Sequence, residues 1–205
     1  MSLNAKAHKG GSDIPVLDVD TYPARLVQAI DVGTHEQFDY QTKKSQGFKP
    51  RVILTFELPT ELYEFDGEEK PRWISREWTL SYNKKSTMFK IIQALDPKDE
   101  ANGVISEMLG APCSLTIGHS KTGKAKIGSI GAVTKGMTVD ELFNEPRFFD
   151  MDAPDMEQFK AMPEWIRDKI KESREYGEGD GDGGDAAIKV AIELFESGVE
   201  DDIPF

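Results

Sequence analysis

From Arg51 to Leu58 the side chains alternate, with Val52, Leu54, Phe56 and Leu58 on one face, which is the period of a half-buried strand. Similar runs flank it. Ala24 to Val32 is β-compatible, and Trp73 to Tyr82 alternates with Ile74, Trp78, Leu80 and Tyr82 in phase. Pro59 and Pro71 then bracket the turn between the second and third strands. Ser86 stands where an N-cap belongs, and Met88, Ile91, Ile92 and Leu95 follow at helical spacing until Asp96-Pro97 stops them. After a second short helix near Val104 to Leu109, Pro112 to His119 and Lys124 to Val133 form a hairpin through Ser120-Lys-Thr-Gly123.

Three strands, a helix and two strands is the order of an OB-fold, a five-stranded Greek-key barrel. SH3-like and other small barrels share the strand count, so the order alone does not choose among them. The expected architecture is mainly β: an OB-type barrel over residues 21–150 with an inserted helix, preceded by a loose arm over 1–20 that stays outside the core. A docking-helix region over 151–174 follows, and then a flexible acidic tail over 175–205.

Charge divides along the same lines. Residues 1–135 hold 18 Lys+Arg against 17 Asp+Glu, and residues 136–205 hold 7 against 20, so the net charge of -12 belongs to the last third. No apolar run approaches the roughly 20 residues of a membrane helix, and Met1 to Asp20 lacks the apolar stretch of a secretory signal. A lone Cys113 and three scattered His give no disulfide framework and no zinc spacing. No cofactor or metal is implied.

The connections carry the chemistry. Gly33 to Pro50, read as the loop between strands one and two, contains Phe38, Tyr40, Lys43, Lys44, Phe48 and Lys49; the hairpin contains Lys121, Lys124 and Lys126. Rings interleaved with cations suit single-stranded nucleic acid, because unpaired bases stack on aromatic faces while ammonium groups neutralise phosphate. Arg51, Trp73, Arg76, Lys84 and Lys85 extend this set toward the sheet face, whereas Trp78 shares its phase with Leu80 and belongs to the core. The plainer alternative is that the rings fold back onto the barrel and the lysines are solvated surface.

Enzyme chemistry finds no foothold. Gly118 to Ala125 nearly spells a phosphate-binding loop, but Ala125 has no hydroxyl for Mg²⁺ and the segment leads into a β run instead of a helix. No carboxylate falls in a pattern with His or Ser that would mark an acid, base or nucleophile. Cys113 lies within a strand and reads as a buried filler.

Beyond Met137, Asp140-Glu-Leu-Phe143 and Pro146-Arg-Phe-Phe149 are apolar islands in acidic surroundings. Pro163 suits the first position of a helix running to about Arg174, with Trp165, Ile166, Lys169 and Ile170 as a narrow stripe. Tyr176 to Asp185 is a Gly/Asp linker, and Ala186 to Glu196 places Ile188, Ala191, Ile192 and Phe195 on one helical face. That face suits packing on its own body, on a twin subunit or on a partner. The chain ends Glu200-Asp-Asp-Ile-Pro-Phe205.

This ending resembles the C-terminal tip through which bacterial single-stranded DNA-binding proteins dock replication and repair enzymes. The resemblance assigns partner binding to Asp201, Asp202, Ile203, Pro204 and Phe205. Tyr22-Pro-Ala-Arg-Leu-Val, Leu54-Thr-Phe-Glu-Leu-Pro, Pro71-Arg-Trp-Ile-Ser and Ala94-Leu-Asp-Pro are similar to phage-encoded OB-fold proteins of the single-stranded DNA-binding type. The resemblance implies a non-enzymatic protein that coats single-stranded DNA in phage replication or recombination, acts in the cytoplasm of a bacterial host and recruits replication or recombination proteins through its tip. The tip's carboxylates should also compete with DNA for the basic loops. A recruitment adaptor whose OB-like body binds no DNA is the competing expectation. Monomer, dimer and tetramer all fit the sequence, so a second copy of the chain also counts among the partners.

Overall fold

The computed structural model describes residues 14–39, 41–65, 67–177 and 186–196. Its strands are β1 (Thr21–Phe38), β2 (Ser45–Phe65), β3 (Glu68–Thr79), β4 (Pro112–His119), β5 (Ala125–Gly131) and β6 (Arg147–Phe149). Five of them hydrogen-bond in the order β3-β2-β1-β4-β5, each antiparallel to its neighbour, and β6 pairs parallel to β1 through Gln28–Ile30. The edge of β1 is thus shared: Thr21–Arg25 pairs with β4, and further along the strand β6 takes the edge over.

The alternation in β2 sends Val52, Leu54, Phe56 and Leu58 into one core with Ala24, Leu26, Cys113, Leu115, Ile117 and Ile127. Trp78 joins it as expected, 6% exposed and edge-on to Phe56. Helix α1 (Thr87–Leu95) closes this core with Met88, Ile91, Ile92 and Leu95. The Ser86 hydroxyl caps the helix by accepting from the Phe89 N–H at 3.0 Å, and Asp96 ends it. The second helical segment is a short 3₁₀ turn, Ile105–Met108. Leu17 is also buried here, and its carbonyl meets the His119 ring at 2.7 Å. The expectation that the arm stays clear of the core therefore fails over its last residues; residues 1–13 lie outside the described residues.

The out-of-phase residues of β1 and β2 are apolar as well. Ile30, Val32 and Ile53 point to the opposite face, where they form a second core with Phe149, Phe159, Ile166 and Ile170. Helices α2 (Met156–Ala161), α3 (Glu164–Lys171) and α4 (Arg174–Gly177) build this layer with α5 (Ala186–Glu196), which buries Ile188 and Ile192. Each such side chain contributes about 1.5–3 kcal/mol on burial. The docking helix is therefore real but shorter than expected, with Pro163 as its N-cap and a separate α4 behind it. Trp165 departs from the expected stripe and is 56% exposed. Of the three occupants weighed for the face of α5, the chain's own body is the one it packs on. Tyr176 and Gly177 are helical, while residues 178–185 of the expected linker lie outside the described residues.

Two expectations about connections are corrected. Gly33 to Pro50 is a ribbon in place of a loop: β1 and β2 stay paired from Gly33↔Arg51 to Phe38↔Ser45. Pro59 and Pro71 lie inside β2 and β3, whose turn falls between Phe65 and Glu68. Pro59 is tolerated because the ladder is irregular between Leu58 and Leu62.

Gly33 sits at a register shift in β1 with φ +78°, directly under the helical layer. A Cβ there would lie 2.6 Å from Ser173 Cβ and 2.9 Å from Met151 Sδ. Gly33→Ala should therefore cost roughly 2–4 kcal/mol through strain and overpacking. Gly123→Ala, which also has positive φ but nothing within 4 Å, should cost only about 1 kcal/mol. Urea denaturation of the two variants checks this, and equal losses would contradict the close packing.

Candidate nucleic-acid interface

The β1–β2 ribbon is the first basic element. Its turn is organised by Asp39, whose carboxylate accepts the N–H of Thr42 at 2.7 Å, the Thr42 hydroxyl at 2.9 Å and the N–H of Gln41 at 3.0 Å. The backbone and side-chain bonds from Thr42 hold that carboxyl below its usual range. Lys43 takes positive φ within this turn, and Lys44 and Lys49 are exposed beside it. Phe38 is 55% and Phe48 50% exposed, so neither ring folds back fully onto the sheet. Phe48 does carry the Arg174 guanidinium over its ring, 5.4 Å from the centroid. Tyr40 lies outside the described residues.

The β4–β5 hairpin is the second. Its turn closes through Ser120 N–H to Lys124 O at 2.8 Å and Gly123 N–H to Ser120 O at 2.9 Å, with Gly123 at φ +76°. Lys121, Lys124 and Lys126 are exposed, and Lys126 lies across from Gly118. The turn feeds β5, so its amides are not aimed as a phosphate-binding loop requires.

These elements are related by the seam between β3 and β5, strands that share a direction because each is antiparallel to a neighbour of β1. Arg76 bridges the seam, donating to the Ile127 carbonyl at 2.7 Å while its guanidinium lies over Trp78 at 5.5 Å. Lys124 and Lys126 precede this link on β5, as Trp73 precedes it on β3. On the far side, Leu80 N–H bonds Pro50 O at 2.8 Å, so the segment that carries the exposed Lys84 and Lys85 leaves β3 at the base of the ribbon. The sequence-predicted cations thus fall into two groups at opposite ends of the seam.

Between them, the sheet-face residues hold the structure together. Arg51 donates to Glu77 at 2.7 Å and to the Thr79 hydroxyl at 2.7 Å; Lys169 of α3 reaches the other Glu77 oxygen at 2.9 Å. Burial disfavours the Glu77 charge, yet Lys169 and Arg51 outweigh it and hold this carboxyl below its ordinary range. Lys169 therefore anchors α3 to β3 through Glu77, and the same carboxylate already meets the charge of Arg51.

Trp73 is 38% exposed, and its ring N–H donates to Glu57 Oε2 at 2.9 Å. With Tyr63, Glu69, Lys70, Pro71, Phe143 and Asn144 it lines a cleft of about 350 Å³. Sequence reasoning missed these neighbours, although Phe143 stood in one of the apolar islands. A larger cleft of about 690 Å³ runs between Ile14–Asp18 and the end of β2, but Asp18, Glu61 and Glu64 give it the wrong sign for phosphate. Cys113 is fully buried, which pushes its thiol up to about 12 and leaves it no role as a nucleophile.

Among the described residues no group of His, Cys, Asp or Glu is arranged to hold a metal ion, and no helix is long and apolar enough to cross a membrane. No known family matches the chain, and comparison with curated proteins and with solved structures finds no match.

Glu77→Gln should destabilise the fold by about 1 kcal/mol at pH 7, because Arg51 and Lys169 lose their shared partner. A depressed carboxyl contributes stability above its unfolded value that is lost as pH falls through its folded one. The gap between variant and wild type should therefore close below the ordinary glutamate range. Thermal melts at pH 7 and pH 3 check this, and a gap that persists at pH 3 would contradict the ion-pair account.

Proposed function

We propose that this chain is a non-enzymatic OB-fold protein that coats single-stranded DNA with little sequence preference and recruits replication or recombination proteins through its acidic tip. The setting we propose is phage DNA metabolism in the cytoplasm of a bacterial host. The observation that carries the reading is the pair of basic elements, one of them bearing exposed rings, at the two ends of the β3–β5 seam. Strand order supports the barrel: closing β3-β2-β1-β4-β5 across the Arg76 link yields the circular order of an OB-fold. Ammonium groups at both ends give a nucleic-acid backbone a charged path, and Phe38 and Phe48 offer faces on which bases stack.

The tip proposal rests on the residues themselves. Phe205 offers a ring to a shallow pocket with a basic rim, and Asp201 and Asp202 steer it there, with Ile203 and Pro204 completing the apolar end. Asp201 to Phe205 lie outside the described residues.

The recruitment adaptor is favoured by one observation: Lys169 seats α3 on the sheet's outer face at Glu77, the same carboxylate that already pairs Arg51. Anisotropy titration of a labelled oligo-dT separates the two. Wild type should bind, and changing Lys43, Lys44, Lys121 and Lys124 together to Ala should weaken binding at least tenfold and flatten the dependence on salt. No binding by wild type at low salt would leave the adaptor. In the same assay, a chain ending at Gly198 should bind more tightly than full length at low salt, the difference shrinking as salt rises. Unchanged affinity would remove the self-competing tail.

A further inference from the structure

We infer that the cleft formed by Trp73, Tyr63 and Phe143 takes one unstacked base of the bound strand, with Glu57 as the positioning residue that builds it. This deepens the single-stranded DNA reading and rests on it. Glu57 is fully buried in β2, directly across the ladder from Trp73. Its carboxylate accepts three donors: the Trp73 ring N–H at 2.9 Å, the Phe143 backbone N–H at 2.6 Å and the Asn144 amide at 2.6 Å. One side chain therefore fixes an aromatic ring on the sheet and ties down the returning segment that carries another.

Exposed rings are normally drawn into a core, yet Phe143 remains 59% and Trp73 38% exposed. Fixing them before a ligand arrives removes the ordering cost that a mobile pair of rings would add to binding. Flat π-faces suit a base, since stacking needs no particular hydrogen-bond pattern and tolerates any sequence. Lys70 lines the same cleft, but its ammonium already lies 3.4 Å from Glu68 and over the Phe65 ring at 5.1 Å, and Glu69 stands beside it, so the cleft supplies stacking faces and the hairpin lysines supply the cations for phosphate. Trp73 also lies on the same side of the Arg76–Ile127 link as Lys124 and Lys126, so the cleft and the hairpin belong to the same end of the seam. An apolar peptide side chain is a poorer occupant, because the lining is aromatic and polar with few aliphatic groups.

Phe143 is exposed, so its truncation leaves the core intact. The full chain and its Phe143→Ala and Phe143→Trp variants should be titrated with labelled oligo-dT and with an oligonucleotide of the same length bearing abasic sites. Phe143→Ala should weaken oligo-dT binding about tenfold and leave the salt slope unchanged. Phe143→Trp should retain wild-type affinity, and all three proteins should bind the abasic strand alike. Wild-type affinity for oligo-dT in Phe143→Ala, or an equal loss on both strands, overturns the base-binding cleft while the DNA-coating reading stands. Failure of wild type to bind either strand overturns that reading and the cleft with it.

Discussion

A sheet that is apolar on both faces must be covered twice, and β1 and β2 are such strands. Leu26, Ala29, Val52 and Leu54 join the core on one face while Ile30, Val32 and Ile53 join the core on the other. Left bare, the second face would be an exposed apolar patch of the kind that drives association. Helices α2 to α5 supply the cover. Their fit is fixed where Gly33 lets α4 approach the backbone, where the Glu175 carboxylate accepts the Thr34 N–H at 2.7 Å, and where Glu77 joins Arg51 to Lys169. Much of the acidic last third thus belongs to the folded body, its apolar stripe turned inward and its carboxylates largely outward.

That cover also decides what is left for a ligand. With α3 docked on Glu77, the outer face offers no bare stripe of cations among the described residues, and Arg51 and Arg76 are engaged within the fold. What remains is the ribbon, the hairpin and the Trp73 cleft. Two residues extend the tying-down to the chain after β5. Arg25 holds Val139–Glu141 through the Asp140 and Val139 carbonyls, at 2.7 and 3.2 Å, and the Glu141 carboxylate at 3.0 Å; Glu57 then fixes Phe143 and Asn144. A segment that a charge count assigns to a tail is by this means a wall of the candidate site.

Sequence periodicity located β1, β2, β4 and β5, the Ser86 cap, the placement of Trp78 and the stripe of α5, because each rests on a local rule that tertiary structure left in place. Second-face burial was harder to see. Its signal is the consecutive Val52-Ile53-Leu54, which an alternating template reads as one face only. The ribbon reads as a loop in the sequence because Gly33, Gly47 and a run of polar side chains mimic loop composition, whereas pairing between two solvated strands needs no apolar alternation. Of the docking stripe, Ile166 and Ile170 are buried and Lys169 turns onto Glu77, whereas Trp165 stays exposed. Glu57 was the least legible residue of all. Out of phase between Phe56 and Leu58, it reads as a solvated charge, and its three donors come from residues 16, 86 and 87 positions away.

The most direct measurement of the central claim is amide hydrogen exchange of the full chain with and without saturating oligo-dT. The account predicts protection at the ribbon tip around residues 41–49, in the hairpin at 120–126 and at Phe143–Asn144, with α2 and α3 unchanged. Protection confined to the helical layer, or none anywhere, would contradict it.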